Sequence, residues 1–308
     1  MSLIGRFIPT GPSGFGHRST AEEVLQDLDL TGKVFLITGV NSGLGLESAR
    51  VLSAKGATLI GLARTVEKAQ QAFDSIGAKD VHCVACDLSE PKQLQQAILD
   101  INALNISLDA LIANAGIMAM PALQTKYDLE LHFLTNHIGH FILVTGLLDS
   151  LTENGRIVML SSRAHEQTYR GGIQFDNLDG SKGYTRWLAY GQSKLCNLLF
   201  AKELANRLTD NRTAYSLHPG VIPTNIMRNL PSFLQTTTSA IQSIFLKTIP
   251  EGAATQVYAA AHPDLVGKSG DYFVDCNVGK PSKYAKDAAL ASRLWTESEA
   301  IVERLLRA

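Results

Sequence analysis

Apolar, β-branched runs recur along the chain at intervals that leave room for a helix between them. They are KVFLIT (33–38), ATLIGLA (57–63), VHCVAC (81–86), LDALIAN (108–114), GRIVMLS (155–161) and TAYSLH (213–218), with a weaker DYFV at 271–274. Between them lie LESARVLSAKG, PKQLQQAILDIN and YGQSKLCNLLFAKELANRL. The last carries Leu195, Leu198, Leu199 and Leu208 near helical spacing, with Lys202, Glu203 and Arg207 off that stripe. Strands that are apolar throughout, alternating with helices, predict a parallel sheet covered on both faces. The expected fold is therefore α/β: one Rossmann-type, doubly wound domain of about seven strands over residues 31–308. An N-terminal arm of residues 1–30 precedes it. Thr20 followed by Glu23 fits a capping box and opens a short helix. The Gly, Pro and Ser content of MSLIGRFIPTGPSGFG predicts a loosely ordered arm before that helix.

One stretch breaks the rhythm. IMRNLPSFLQTTTSAIQSIFLKTIP, from Ile226 to Pro250, is long, apolar-rich and interrupted by proline. It follows a strand end, and open α/β sheets bind ligands outside the carboxyl ends of their strands. The segment of about 224–250 is read as the wall or lid of a pocket, with Ile226, Met227, Leu230, Phe233, Leu234 and Phe245 as its apolar residues. Core packing is the competing role for those six.

Composition narrows the function. The chain of 308 residues is 45% hydrophobic and 19% charged, enough apolar content for a sizeable core. A net charge of −1 argues against nucleic acid or an anionic membrane as the main partner, because both need clustered positive charge. IGHFILVTGLL (138–148) is too short to cross a bilayer, which takes about 20 residues. The first residues lack the apolar core of a secretory signal. Cys83 and Cys86 form a CxxC within a strand, where i and i+3 point to opposite faces, so reduced, buried thiols and a cytoplasmic location are expected.

The first predicted strand ends in TGVNSGLG, with Gly39, Gly43 and Gly45 between strand and helix. Glycine permits a tight turn and close backbone approach, and the following helix start offers N–H groups to a pyrophosphate. The spacing G-x-x-x-G-x-G differs from the general dinucleotide fingerprint. TGxxxGxG resembles the cofactor loop of the short-chain dehydrogenase/reductase family, and the resemblance extends over about residues 30–280. It implies that Asn41, Ser42 and Leu44 also face the cofactor. It implies further that Asp87 and Leu88 contact adenine and that Asn114, Ala115 and Gly116 (ANAG, with Ala113 where the family more often has Asn) line the same cleft. HPGVIPT matches the family's PG motif, which implies cofactor contacts from Pro219, Gly220, Val221 and Thr224. The second strand ends LIGLARTVEK. Ala63 stands 18 residues after Gly45, where an NAD-preferring member carries an acid, and Arg64 follows. A guanidinium fork suits a ribose 2′-phosphate, which predicts NADP(H), with Lys68 nearby.

Asn136, Ser162, Tyr190 and Lys194 match the family's catalytic tetrad in order. Tyr190 and Lys194, four apart, share one helix face. A neighbouring ammonium is expected to lower the tyrosine's pKa toward the working range of an acid–base catalyst. Ser162 is expected to bond the substrate oxygen as charge develops. The resemblance implies that Lys194 also grips the nicotinamide ribose and that Asn136 holds a water linking Lys194 to solvent. His137 and His140 are read as hydrogen-bonded structural histidines rather than metal ligands, and His165 as a neighbour of the pocket. Ser162 and Tyr190 stand 28 residues apart, and SSRAH…YGQSKLCN resembles the retinol-dehydrogenase-like branch, which implies apolar or bulky ketone, aldehyde or alcohol substrates and a possible homo-oligomer. The readings left open are an NADPH-dependent carbonyl reductase or alcohol dehydrogenase, a catalytically silent NADPH sensor or scaffold, and a specialised reductase on the same scaffold.

Overall fold

The computed structural model describes residues 10–222 and 246–307. In chain order the main elements are α1 (Ala21–Val24), β1 (Val34–Thr38), α2 (Gly43–Ala54), β2 (Thr58–Ala63), α3 (Val66–Ser75), β3 (Val81–Ala85), α4 (Pro91–Ala103) and β4 (Leu108–Ala113). A short hairpin of β5 (Thr125–Lys126) and β6 (Leu129–Glu130) leads into a π-helical turn (Phe133–Ile138) and α5 (Gly139–Gly146). Then come β7 (Leu151–Leu160), α6 (Arg186–Arg207), β8 (Thr213–His218), α7 (Ile249–Ala261), β9 (Tyr272–Val274), β10 (Asn277–Val278) and α8 (Ala288–Arg307).

The sheet order is β10-β9-β8-β7-β4-β1-β2-β3, parallel except for β10 against β9. It holds eight strands where the sequence pattern predicts about seven, because the two-residue β10 is too short to leave a periodic trace. β1 shows why the strands read as unbroken apolar runs. Val34 and Leu36 enter the core on one face, Phe35 and Ile37 the core on the other. α4, α5 and α6 cover the first face, and α2, α3 and α7 the second. The chain runs from β1 out through β2 and β3, then crosses back to β4 on the other side of β1, so a crevice opens between the carboxyl ends of β1 and β4.

α8 packs along α6 and brings Trp295 against Phe141 and Phe200, with ring centroids 5.1 and 5.6 Å away. The Arg207 guanidinium lies 4.3 Å from the Trp295 ring. Of two expectations at the chain's loose-looking segments, one is corrected and the other falls largely outside the described residues. The arm is not loose where it is described: Ser13 N–H donates to Asn277 Oδ1, Asn277 Nδ2 donates to the Phe15 carbonyl, and Phe15 packs edge-on to Tyr258. Of the expected lid, Thr224 and the six apolar residues from Ile226 to Phe245 lie outside the described residues. Its last residues belong to α7, whose first turn is set by Thr248 and Glu251 in a capping box.

Replacing Trp295 with Ala should destabilise the protein by about 3–5 kcal/mol, because the aromatic cluster loses its central ring. Urea unfolding monitored by circular dichroism measures this.

Candidate active site

The crevice is a cleft of about 880 Å³ lined by the ends of β1, β2, β3, β4, β7 and β8. Its floor begins at the glycine loop. Gly39 and Gly43 adopt φ of 72° and 58°, the left-handed region that favours glycine. Gly45 serves a different need: a Cβ there would fall 2.3 Å from the Gly39 carbonyl oxygen. The loop and the start of α2 therefore touch backbone to backbone. Asn114 locks this arrangement by donating from Nδ2 to the Thr38 carbonyl at 2.8 Å.

Thr38 couples the loop to the catalytic half. Its Oγ1 accepts from Ala115 N–H at 2.9 Å and meets His140 Nε2 at 3.0 Å. His140 Nδ1 lies 2.9 Å from the Asn136 carbonyl, which can only accept, so Nδ1 carries the proton and Nε2 accepts from Thr38. Burial, and to a lesser degree the charge of Lys194, push His140 down to about 4, which keeps it neutral. Asn136 sits in the π-helical turn, a local irregularity that often marks functional sites. Its side chain is engaged on three sides: Oδ1 accepts from Ile117 N–H at 2.8 Å, and Nδ2 donates to the Ile117 carbonyl and to Ser193 Oγ.

α6 delivers Tyr190 and Lys194 to the cleft wall opposite the loop. Both are buried. The Lys194 ammonium donates to the carbonyl of Leu160, the last residue of β7, at 2.9 Å, and lies 5.8 Å from the Tyr190 ring centroid. Ser161 Oγ returns a bond to the Lys194 carbonyl at 2.7 Å. Ser162 follows, with its Oγ accepting from Ala164 N–H at 3.2 Å. Burial pulls the Lys194 ammonium down to about 8. Burial also pushes Tyr190 up to about 12, partly offset by its hydrogen bond with Ser162. The expected lowering of the tyrosine by the lysine is not found: burial dominates, and the hydrogen bond with Ser162 is what opposes it. Tyr190 is held as a phenol, a proton donor rather than a base.

At the other end, Arg64 follows the last residue of β2, exposed and at the cleft wall. Asp87 lines the wall while its Oδ1 accepts from Ser89 N–H and Oγ–H. Leu88 is buried beside it, and Gly139 packs so closely on Leu88 that a Cβ would lie 2.2 Å from the Leu88 carbonyl oxygen.

Gly39, Asn41, Ser42, Gly43, Leu44, Arg64, Asp87, Leu88, Asn114, Ala115, Gly116, Ser162, Tyr190, Lys194, Pro219, Gly220 and Val221 all line this one cleft. Gly45 lies beneath it, and Asn136 behind it, through Ile117. His165 does not line it: its ring is buried, with Nδ1 2.6 Å from the Ser162 carbonyl and Nε2 accepting from Ser282 N–H. His137 is buried against Ser298. Among the described residues no group of three or more His, Cys, Asp or Glu side chains is placed to hold a metal. His140 is a hydrogen-bonded structural histidine, as expected, but reading the sequence for motifs misses the bond that ties it to Thr38. It also misses the apolar wall of Ile117, Met118, Leu131, Trp187 and Ile222, which carries no motif; Ile249, within the segment read as a wall or lid, lines the cleft with them.

An open parallel sheet with a glycine loop at its switch point and a Ser, Tyr and Lys on the facing wall defines a dinucleotide-dependent oxidoreductase scaffold. The family model for short chain dehydrogenases matches residues 33–235. The short-chain dehydrogenase TIC 32 B, chloroplastic, of Brassica napus is 43% identical over 311 residues, covering 96% of each chain. Retinol dehydrogenase 12 of Mus musculus is 40% identical over 279 residues, covering 88% of this chain and 87% of its own. Among solved structures, a protein from Mycobacterium paratuberculosis superposes with a TM-score of 0.73 at 32% identity, covering 90% of this chain and 96% of its own. The chain belongs to the short-chain dehydrogenase/reductase family, in its retinol-dehydrogenase-like branch. No helix among the described residues is long and apolar enough to cross a membrane.

The buried lysine gives a stability prediction. Its folded pKa is about 8, below the ordinary lysine value of about 10.4 in an unfolded chain. Between those values the unfolded chain binds more protons, so this group's contribution makes stability rise with pH. The wild type should gain about 1–2 kcal/mol relative to Lys194→Met between about pH 8 and about pH 9.5. Urea titrations of both proteins across that window measure the difference.

Proposed function

We propose that this protein is an NADP(H)-dependent carbonyl reductase or alcohol dehydrogenase acting on an apolar or bulky ketone, aldehyde or alcohol. The observation that carries it is the convergence of Ser162, Tyr190 and Lys194 on the wall facing the glycine loop. The residues present fit a dinucleotide. Gly45 leaves no room for a side chain under the loop, the left-handed Gly39 and Gly43 let the backbone turn tightly there, and the start of α2 favours an anion. Ala63 removes the carboxylate that would repel a 2′-phosphate, and Arg64 offers a planar fork in its place.

The nicotinamide, when bound, supplies or receives the hydride. Ser162 donates a hydrogen bond to the carbonyl oxygen as negative charge grows on it. Tyr190, protonated at neutral pH, gives that oxygen its proton. Lys194 holds a positive charge beside the phenol, which stabilises the phenolate left behind. Asn136 keeps Ile117 and Ser193 fixed and so holds the wall around the lysine. Ile117, Met118, Leu131 and Trp187 exclude water from the reacting oxygen and favour an apolar substrate body. In alcohol oxidation the same groups act in reverse. The buried, free thiols support a reducing compartment, read here as the cytoplasm. The chloroplast address in the Brassica relative's name makes the organelle the alternative, and fluorescent tagging of the whole chain decides between them.

Two outcomes are expected. NADPH consumption in the dark with a panel of apolar ketones and aldehydes should fall by about 10²–10⁴-fold in Tyr190→Phe. A near wild-type rate would refute the assigned proton donor. Arg64→Asp should reverse the preference between NADPH and NADH, measured as the ratio of kcat/KM values; an unchanged ratio removes Arg64 from the 2′-phosphate.

A further inference from the structure

Lys247 is fully buried and takes no part in the chemistry above. Its ammonium pairs with Asp275 Oδ1 at 2.6 Å and donates toward the Glu251 carbonyl at 3.4 Å. Its backbone N–H donates to the Val221 carbonyl at 2.9 Å. Its methylene stem fills the space beside Gly220, where φ is +95° and a Cβ would lie 2.5 Å from Lys247 Cδ. Gly220 and Val221 line the cleft. One side chain therefore shapes two residues of the cleft wall and carries its charge away from the cleft to the turn between β9 and β10.

That turn is itself constrained. Asp275 and Cys276 both adopt left-handed φ, 52° and 61°, in a two-residue hairpin connection. Neither is glycine, so the conformation costs energy that the surroundings must offset. The other carboxylate oxygen of Asp275 faces His17 Nδ1 at 3.5 Å. The next arm residue, Arg18, pairs with Glu251 at 3.2 Å and donates to the Leu246 carbonyl at 3.1 Å. Asn277 fastens the arm to the far side of the same turn. The arm, the start of α7 and the β9–β10 turn meet at one ion pair directly behind Gly220 and Val221.

A buried ion pair is weak evidence of stability, since an apolar pair of similar volume often does as well. What this one does provide is direction, because a charge fixed at a strained turn sets where its stem must lie. We infer that Lys247 and Asp275, braced by His17 and Arg18 of the N-terminal arm, are positioning residues that fix the Gly220–Val221 wall at the nicotinamide end of the cleft. The inference rests on the dinucleotide reading above. It also gives the arm a function: its contacts reach the cofactor site through two side chains.

Lys247→Met keeps the stem and removes the charge, Asp275→Asn removes its partner, and the double variant leaves no buried charge. Each is compared with wild type for binding of NADPH and of 2′,5′-ADP, which lacks the nicotinamide half, and for kcat. The single variants should bind NADPH about tenfold more weakly and turn over about tenfold more slowly, since a wall displaced by a fraction of an ångström misaligns the reacting ring. Their affinity for 2′,5′-ADP should stay within about twofold of wild type, because the far end of the cleft is untouched. Arg18→Ala should move the same two quantities in the same direction by less. Parallel loss of 2′,5′-ADP and NADPH binding would show a merely structural pair and overturn the inference. So would wild-type binding and turnover in both single variants and the double. A wild type that binds neither NADPH nor 2′,5′-ADP, nor NADH and 5′-AMP, would instead overturn the dinucleotide reading on which the inference stands.

Discussion

A lysine ammonium is buried in this site against a backbone carbonyl, and the catalytic half of the structure is arranged around that fact. A buried cation without a carboxylate beside it is expensive, and the drop of Lys194 to about 8 is the measure of it. The charge survives because β7 ends at Leu160, whose carbonyl accepts from both Lys194 and Asn197. Its neighbours are correspondingly neutral. His140, pushed down to about 4, adds no second positive charge, and Tyr190, pushed up to about 12, keeps its proton. Ionising the phenol would remove the charge imbalance and stabilise the ammonium at once. In the proposed reaction, transfer of the tyrosine's proton to a substrate oxygen would be assisted by the lysine, while the resting phenol is not.

The glycine loop depends on the same region. Thr38 ends β1, closes on Ala115 and hands its hydroxyl proton to His140, which in turn holds the carbonyl of Asn136. The glycine loop and Asn136 are thus two ends of one buried hydrogen-bonded chain. Such a network is strong because it is satisfied throughout and lies away from water.

How much of this could be read from the residues alone differs by element. β1, β2, β4 and β8 were legible to within a residue or two because both faces of each are buried and the apolar run is unbroken. β7 begins earlier than its apolar run, at Leu151, because Leu151 pairs with Leu108 and the TENG stretch bulges before regular pairing resumes at Arg156. β10 was invisible, being two residues long. The glycine loop was legible because a tight turn dictates its spacing, and Ser162, Tyr190 and Lys194, named from their motifs, meet in one cleft. The π-helical turn at Asn136 was not legible, since it is a short irregularity within a continuous helical run. The pKa of Tyr190 was misjudged for a similar reason: proximity to a lysine is visible in the sequence, whereas the depth of burial that outweighs it is a property of the assembled walls.

The two ends of the cleft obey different physics, and this decides where specificity can reside. At the Arg64 end the guanidinium is exposed and solvated, so under the proposed NADP(H) reading its discrimination would come from geometry and charge sign rather than depth. At the Tyr190 end the groups are dry, and small displacements change both proton affinity and alignment. Gly116 shows how little room remains there: a Cβ would lie 3.0 Å from Asn136 Oδ1 and 3.5 Å from the Lys194 ammonium. The wall opposite, at Gly220, is equally tight against Lys247. On the proposed reading, a reaction centre confined between two glycines that admit no side chain leaves substrate choice, among the described residues, to the wall that includes Ile117, Met118, Leu131 and Trp187. Those residues belong to loops, a helix start and a turn rather than to the sheet. Substrate choice can therefore vary in this scaffold without disturbing the lysine, the tyrosine or the loop that the sheet holds in place.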